Sequence, residues 1–241
     1  MERHALAINI TGHYKVYRYQ NIMMRKRGYI LPEVAVRILD SPPLESLSIF
    51  QSLTLSSKGS IDEKLCGVYQ HKNDIKDKVK VIYIETLPSE NKIKKEKKDQ
   101  LLSVIERDTE ITKHFILISK VNFTVGSYKE LKDLPIYRIE FFLHEELFYD
   151  PTVHVYLQPK FELFNRQVSE QLLSRLKKDA SALLKTCYDD PVSRFLGAMP
   201  GQIMRVTRKN IFNSEADEST EFRIVINTSI SEDRKKEKKI Y

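Results

Sequence analysis

Glycine is scarce in this chain, with 7 among 241 residues, under half of the usual ~7%. The seven are Gly12, Gly28, Gly59, Gly67, Gly126, Gly197 and Gly201, and no three of them cluster. Neither a Gly-x-Gly-x-x-Gly turn nor a P-loop can therefore be written. Both need glycine for close backbone approach to phosphate, so the commonest nucleotide-binding architectures are excluded. Long apolar runs are missing too, which excludes a membrane span. The first residues contain no apolar core, so no signal peptide is expected. Cysteine is limited to Cys66 and Cys187; two free buried thiols in a reducing compartment fit better than a disulfide. The six histidines show none of the paired spacings of a zinc site, and no Gly-x-Ser-x-Gly elbow is present. No catalytic residue, metal or cofactor is expected.

Basic residues exceed acidic ones by a net +7. The excess is shared between residues 1–150 and 151–241 instead of forming one basic arm. That suits intermittent contact with a polyanion more than binding driven by charge alone. Residues 13–27 read as a basic helix, with Val16, Tyr19, Ile22 and Met23 at helical spacing and Gly28 as its stop. Pro32 opens a second helix through Leu39, which Pro42 and Pro43 end. The serine-rich segment 41–60 is expected to be irregular. Strands are expected at 65–71, 79–85, 115–119 and 136–142. Helices are expected from the lysine run 92–98 through Ile105, and over 128–134 after a turn at 124–127. This alternation over 79–142 is that of an α/β layer.

After Asp150-Pro151, residues 165–184 read as one helix carrying Val168, Leu172, Leu173, Leu176 and Ala180 on a single face. Strands follow at 202–208 and 221–228, joined by the polar loop 209–220, and a charged tail fills 231–241. The most specific stretch is Asp190-Pro191-Val192-x-Arg194-x-x-Gly197-x-x-x-Gly201, then Arg208, then Phe222-Arg223-x-Val225. It reads as a capped single-turn helix with a glycine stop, a tight Pro200-Gly201 turn and a two-stranded ribbon from which Arg208 and Arg223 project. Nothing in it is a reacting group; it has the form of a rigid docking surface.

That stretch resembles the fifth subunit of nuclear RNA polymerases, whose shorter archaeal counterpart matches only the C-terminal part of the chain. The resemblance extends upstream through Tyr137, Phe142, Leu143, Glu146, Leu147, Thr152 and His154, through the turn Phe123-Thr124-Val125-Gly126-Ser127, and to Arg27-Gly28-Tyr29. It is strong from about 115 to 228 and thin between 30 and 80. Three departures imply a divergent paralogue or a viral homologue. The 210–219 hairpin lacks glycine, Val125 stands where the family has proline, and the proline usual before Asp190 is missing.

The resemblance implies an α/β N-terminal jaw domain similar to a restriction-endonuclease fold (1–150), a small α+β C-terminal assembly domain (151–230) and the tail (231–241). It implies a non-catalytic subunit docked on the largest polymerase subunit among the other core subunits, beside downstream duplex DNA, in the nucleus or nucleolus, or in a viral factory or virion. Lys120, Thr124, Ser127 and Lys129 are the DNA-facing candidates. Asp190, Pro191, Arg194, Gly197, Gly201 and Arg223 are the docking candidates. Two other readings stay open. One is a stand-alone DNA-binding protein. The other is a metal-dependent nuclease, because Glu96-Lys97-Lys98 and Glu130-Leu131-Lys132 each supply half of a nuclease motif that also needs an aspartate on a neighbouring strand.

Overall fold

A computed structural model describes residues 2–55, 60–87, 89–134, 137–153, 159–176, 180–209 and 218–227. Two units divide the chain, Met1–Tyr149 and Asp150–Tyr241, each with its own four-stranded sheet. The architecture is mixed α/β.

The sheet of the first unit runs β1 (Gly67–His71), β2 (Asp74–Ile84), β3 (His114–Ser119), β4 (Arg138–Leu143), in that spatial order. The β1–β2 pair is antiparallel, while β2, β3 and β4 are parallel. Parallel neighbours need crossovers, here α5 (Lys95–Arg107) and α6 (Val125–Lys132). On their side of the sheet Leu101, Ile105 and Leu131 close over Ile82, Phe115 and Leu117. The other face belongs to α1 (Glu2–Lys26), whose buried stripe is His13, Val16, Tyr17, Gln20, Asn21, Met23 and Met24. Apolar residues on both faces of β2 and β3 thus follow from a sheet covered twice.

Several polar groups under α1 are paired, although Gln20 Nε2 and the Tyr83 hydroxyl have no hydrogen-bond partner among the described residues. The Tyr69 hydroxyl donates to Asn21 Oδ1 at 3.0 Å. Arg27, just past the helix, makes a two-pronged contact with Glu140 on β4, Nη1–Oε1 3.1 Å and Nη2–Oε2 2.6 Å. His114 Nε2 lies 2.7 Å from the same carboxylate and Arg138 2.8 Å. Burial alone would raise the Glu140 carboxyl. The Arg27 charge, the His114 hydrogen bond and the Arg138 charge outweigh it and hold the group well below the usual carboxylate range. The chain then reverses at Gly28, whose φ is +88°; an added Cβ there would stand 2.7 Å from His71 Nε2. Tyr29 bridges to His71 and donates to Asp77 at 3.0 Å. Arg27-Gly28-Tyr29 is therefore a clasp that fixes the end of α1 to the sheet.

The segment 41–60 is not irregular. Pro43–Leu55 forms α3, following α2 (Glu33–Asp40). Its serines do not divert the backbone because their hydroxyls are spent elsewhere: Ser46 Oγ donates to Ile38 O at 2.6 Å and Thr54 Oγ1 to Phe50 O at 3.2 Å. Phe50 packs on Tyr14 and Tyr17 of α1, ring centroids 5.6 and 5.7 Å apart. The strand expected from Leu65 starts at Gly67, after the short helix α4 (Ile61–Leu65) with its Ser60/Glu63 capping box. Residues 56–59 lie outside the described residues.

The second unit orders its strands β5 (Lys160–Leu163), β7 (Ile203–Lys209), β8 (Glu218–Ile226), β6 (Leu184–Cys187). Only β6 runs parallel to its neighbour. Met204, Val206, Ala198 and Val225 make its core, with Phe161, Leu163, Val192 and Leu196 against them. The single helix expected over 165–184 stops at Leu176 as α7 (Arg166–Leu176). Ala180 instead begins a 3-10 turn and Leu184 begins β6. Ser169 Oγ ties α7 to the sheet by accepting the Ile203 amide at 3.0 Å. His154, loop residues 210–217 and the tail 231–241 fall outside the described residues.

Candidate functional site

The docking candidates gather around α8 (Pro191–Leu196) in the second unit. Asp190 caps the helix, accepting the Val192 amide at 2.9 Å and the Ser193 amide at 3.4 Å. Pro191 follows at the first helical position, where its missing N–H costs nothing. Gly197 takes the left-handed conformation, φ 69° and ψ 30°. Its amide donates to Arg194 O at 3.0 Å and the Ala198 amide to Ser193 O at 2.9 Å, the paired bonds of a Schellman stop. Pro200-Gly201 turns next, with Gln202 N donating to Met199 O at 3.1 Å and Gly201 at φ +87°, as a type II turn requires. The Gly201 amide then bonds Val225 O at 2.9 Å, locking the turn to β8. Asp190, Gly197 and Gly201 therefore hold the segment in shape, while Pro191 is exposed and Arg194 half-buried.

Arg208 and Arg223 do not project freely from the ribbon. Both reach Glu221: Arg208 Nη1 at 2.9 Å and Arg223 Nη2 at 2.9 Å. The Arg223 hydrogen bond, with the charge of Arg208, holds the Glu221 carboxyl below its ordinary value. Two buried groups remain: Arg223 Nε and Ser193 Oγ have no hydrogen-bond partner among the described residues. Glu221 had no sequence signal as the clamp; it pairs directly with Val206, and Arg208, opposite Ser219, reaches it diagonally only once β7 and β8 pair.

Of the DNA-facing candidates, Thr124, Ser127 and Lys129 belong to the start of α6, and Lys120 follows β3. The expected turn at 124–127 is already helix from Val125, with Thr124 as N-cap. Thr124 Oγ1 accepts the Ser127 amide at 3.4 Å and donates to Ser127 Oγ at 2.9 Å. Ser127 is buried, whereas Lys120 and Lys129 are exposed. The two hydroxyls and the Ser127 amide serve the cap, which leaves Lys120 and Lys129 as the exposed candidates.

The nuclease halves fall on helices, Glu96 on α5 and Glu130 on α6. Glu130 pairs with Lys98, so neither half lies on a sheet strand beside an aspartate. Elsewhere the fold assembles what spacing hid: His13, Asp62 and His144, distant in sequence, offer ligand atoms all within 4.8 Å of one another. Both cysteines are free, and no described helix is long and apolar enough to cross a membrane.

Comparison with known proteins covers the segment around α8. Residues 149–225 match the model of the RNA polymerase Rpb5 C-terminal domain. Subunit Rpo5 of the DNA-directed RNA polymerase of Archaeoglobus fulgidus is 37% identical over 70 residues, 29% of this chain and 88% of that protein. Subunit RPABC1 of DNA-directed RNA polymerases I, II and III of Caenorhabditis elegans is 27% identical over 199 residues, 81% of this chain and 89% of the relative. Subunit 5B of DNA-directed RNA polymerases IV and V of Arabidopsis thaliana is 24% identical over 204 residues, 85% and 86% of the two chains. The family match over 149–225 and the archaeal relative, with eukaryotic relatives that follow the chain through both units, give the conclusion that the chain belongs to the Rpb5 family of DNA-directed RNA polymerase subunits.

Proposed function

We propose that the second unit anchors this chain to the largest subunit of a multisubunit RNA polymerase, and that the first unit forms part of the jaw that holds downstream DNA. As a member of its family the chain is a non-catalytic polymerase subunit that assembles with other polymerase subunits, and its eukaryotic relatives imply a nuclear location. The observation that carries the anchoring role is the size of the archaeal relative. Seventy matched residues make up 88% of that Rpo5, a length close to the family segment 149–225. A polymerase subunit made of little else supports an assembly role for that part.

The jaw role draws on the first unit. Its parallel strands with helices on both faces support a restriction-endonuclease-like fold without nuclease residues. Lys120, Lys129 and the first-turn amides of α6 would hold phosphates, which positions a duplex without reading its sequence. Pro191, Arg194 and Arg223 would meet the partner subunit, on a surface shaped by Asp190, Gly197 and Gly201.

Affinity purification of the chain from the cells that make it, with identification of partners, tests the reading. The large polymerase subunits should co-purify, and their absence overturns it. Arg194→Glu should then lower incorporation into the complex. Lys120→Glu with Lys129→Glu should leave incorporation intact and weaken retention of downstream DNA. Tight, steeply salt-dependent DNA binding by the isolated chain would favour a stand-alone DNA-binding protein.

A further inference from the structure

The first unit holds a buried cluster outside the residues proposed for docking and DNA contact. His13 comes from α1, Asp62 from the first turn of α4, and His144 from the 3-10 turn His144–Leu147 that follows β4. All three are buried, at 2%, 8% and 6% exposure. His13 Nε2 stands 3.1 Å from Asp62 Oδ1, and the His144 ring meets the His13 ring edge-on with centroids 5.3 Å apart. A simple histidine–carboxylate pair would explain the first two residues and leave the third. His144 Nε2 is buried with no hydrogen-bond partner among the described residues, a costly arrangement for a ring nitrogen.

We propose that His13, Asp62 and His144 form a structural zinc site joining α1, α4 and the end of β4. Two imidazoles and one carboxylate are a borderline donor set that suits Zn²⁺ and disfavours Ca²⁺ or Mg²⁺, which take oxygen ligands. Bonds of about 2.0–2.2 Å put neighbouring donors of a tetrahedral ion about 3.3–3.6 Å apart. The His13–Asp62 edge is already of that order, and the remaining edges, none above 4.8 Å, close by side-chain rotation. Water completes the shell. Each ligand comes from a different element, so the ion would cross-link three segments that sequence separates widely. Lys120, exposed after β3, acts on both Asp62 and His144 through its charge. A cation there opposes a second one, so its removal should tighten the site.

The test uses the full chain, stripped with a chelator and titrated with Zn²⁺ against a chromophoric competitor. One equivalent should bind and raise the melting temperature. Asp62→Asn keeps the size and a hydrogen bond to His13 and should weaken binding at least tenfold; His144→Gln should do the same. Lys120→Gln should strengthen binding. Changing Cys66 and Cys187 to serine should leave it unaltered. X-ray absorption on the zinc-loaded wild-type chain gives a reading independent of how the variants fold, and its first shell should hold nitrogen and oxygen with two imidazoles. Absence of a stoichiometric equivalent, sulfur in the shell, or binding indifferent to both Asp62→Asn and His144→Gln overturns the proposal.

Discussion

Glu140→Gln is the sharpest test of how the first unit is held together. The substitution keeps the shape of the side chain and removes its charge. Arg27 and Glu140 are 4% and 7% exposed at their side chains, so Arg27 would be left as a buried cation without its counter-ion. Breaking such a pair by removing one partner costs about 3–5 kcal/mol. In a unit of this size each kcal/mol lowers the midpoint by about 2–4 °C, which gives a fall on the order of 10 °C. Thermal unfolding followed by circular dichroism measures it. The double variant Arg27→Met/Glu140→Gln should lose clearly less than the sum of the single changes, because it leaves neither buried charge unpaired. The pH dependence has a definite sign. Glu140 titrates lower in the fold than in the unfolded chain, so its stabilisation is complete above about pH 4.3 and disappears as pH falls through its depressed folded value. His114, lowered chiefly by burial, resists protonation in the fold and subtracts stability as pH drops below about 6.5. The gap between wild type and Glu140→Gln should therefore narrow only in strong acid. A loss under about 1 kcal/mol at neutral pH, or strict additivity in the double variant, refutes the buried-clasp account.

Three further outcomes follow from single residues. Gly28→Ala combines a positive φ with a Cβ 2.7 Å from His71 Nε2 and should cost about 2 kcal/mol in chemical denaturation, of which His71→Ala recovers only the steric share. Asp190→Ala removes the cap of α8 and should cost about 1 kcal/mol, with Asp190→Asn largely restoring it. Cys66, whose thiol is raised by burial despite the Tyr83 amide, should alkylate more slowly at pH 8 than glutathione does in the same assay.

Long-period patterns were legible in the sequence and short edges were not. The alternation of β2, α5, β3, α6 and β4 could be read from apolar spacing, because each element is long enough to show a period. The four-residue strands β5 and β6 contain no more than two residues per face, too few to distinguish them from loop. Helix α3 was hidden by its serines, whose preference for local bonds is defeated only when Ile38 O and neighbouring carbonyls come within reach. The Asp190–Gly197 cap and stop were readable because their chemistry is local. Glu140 and the His13–Asp62–His144 cluster depend on partners far along the chain, and no short window of sequence contains them.

The family's marked residues divide by what they do within this chain. Arg27, Gly28, Glu146, Asp190, Gly197 and Gly201 make internal bonds or supply backbone shape: Arg27 grips Glu140 and Glu146 accepts the Leu143 amide at 2.8 Å. Thr124 and Ser127 spend their hydroxyls on one another. Substituting any of these perturbs the fold first and a partner only through it, so loss of incorporation in such a variant says little about contact. Lys120, Lys129 and Pro191 are exposed and Arg194 is half-buried, so changes there should disturb the core least. Arg223 stands between the two groups, bonded to Glu221 through Nη2 while its buried Nε has no acceptor among the described residues. An acceptor from a partner subunit would complete it. Arg223→Lys keeps the charge but lacks the guanidinium's second donor edge. It should therefore weaken incorporation more than it lowers the melting temperature, whereas a purely internal role would move the two together.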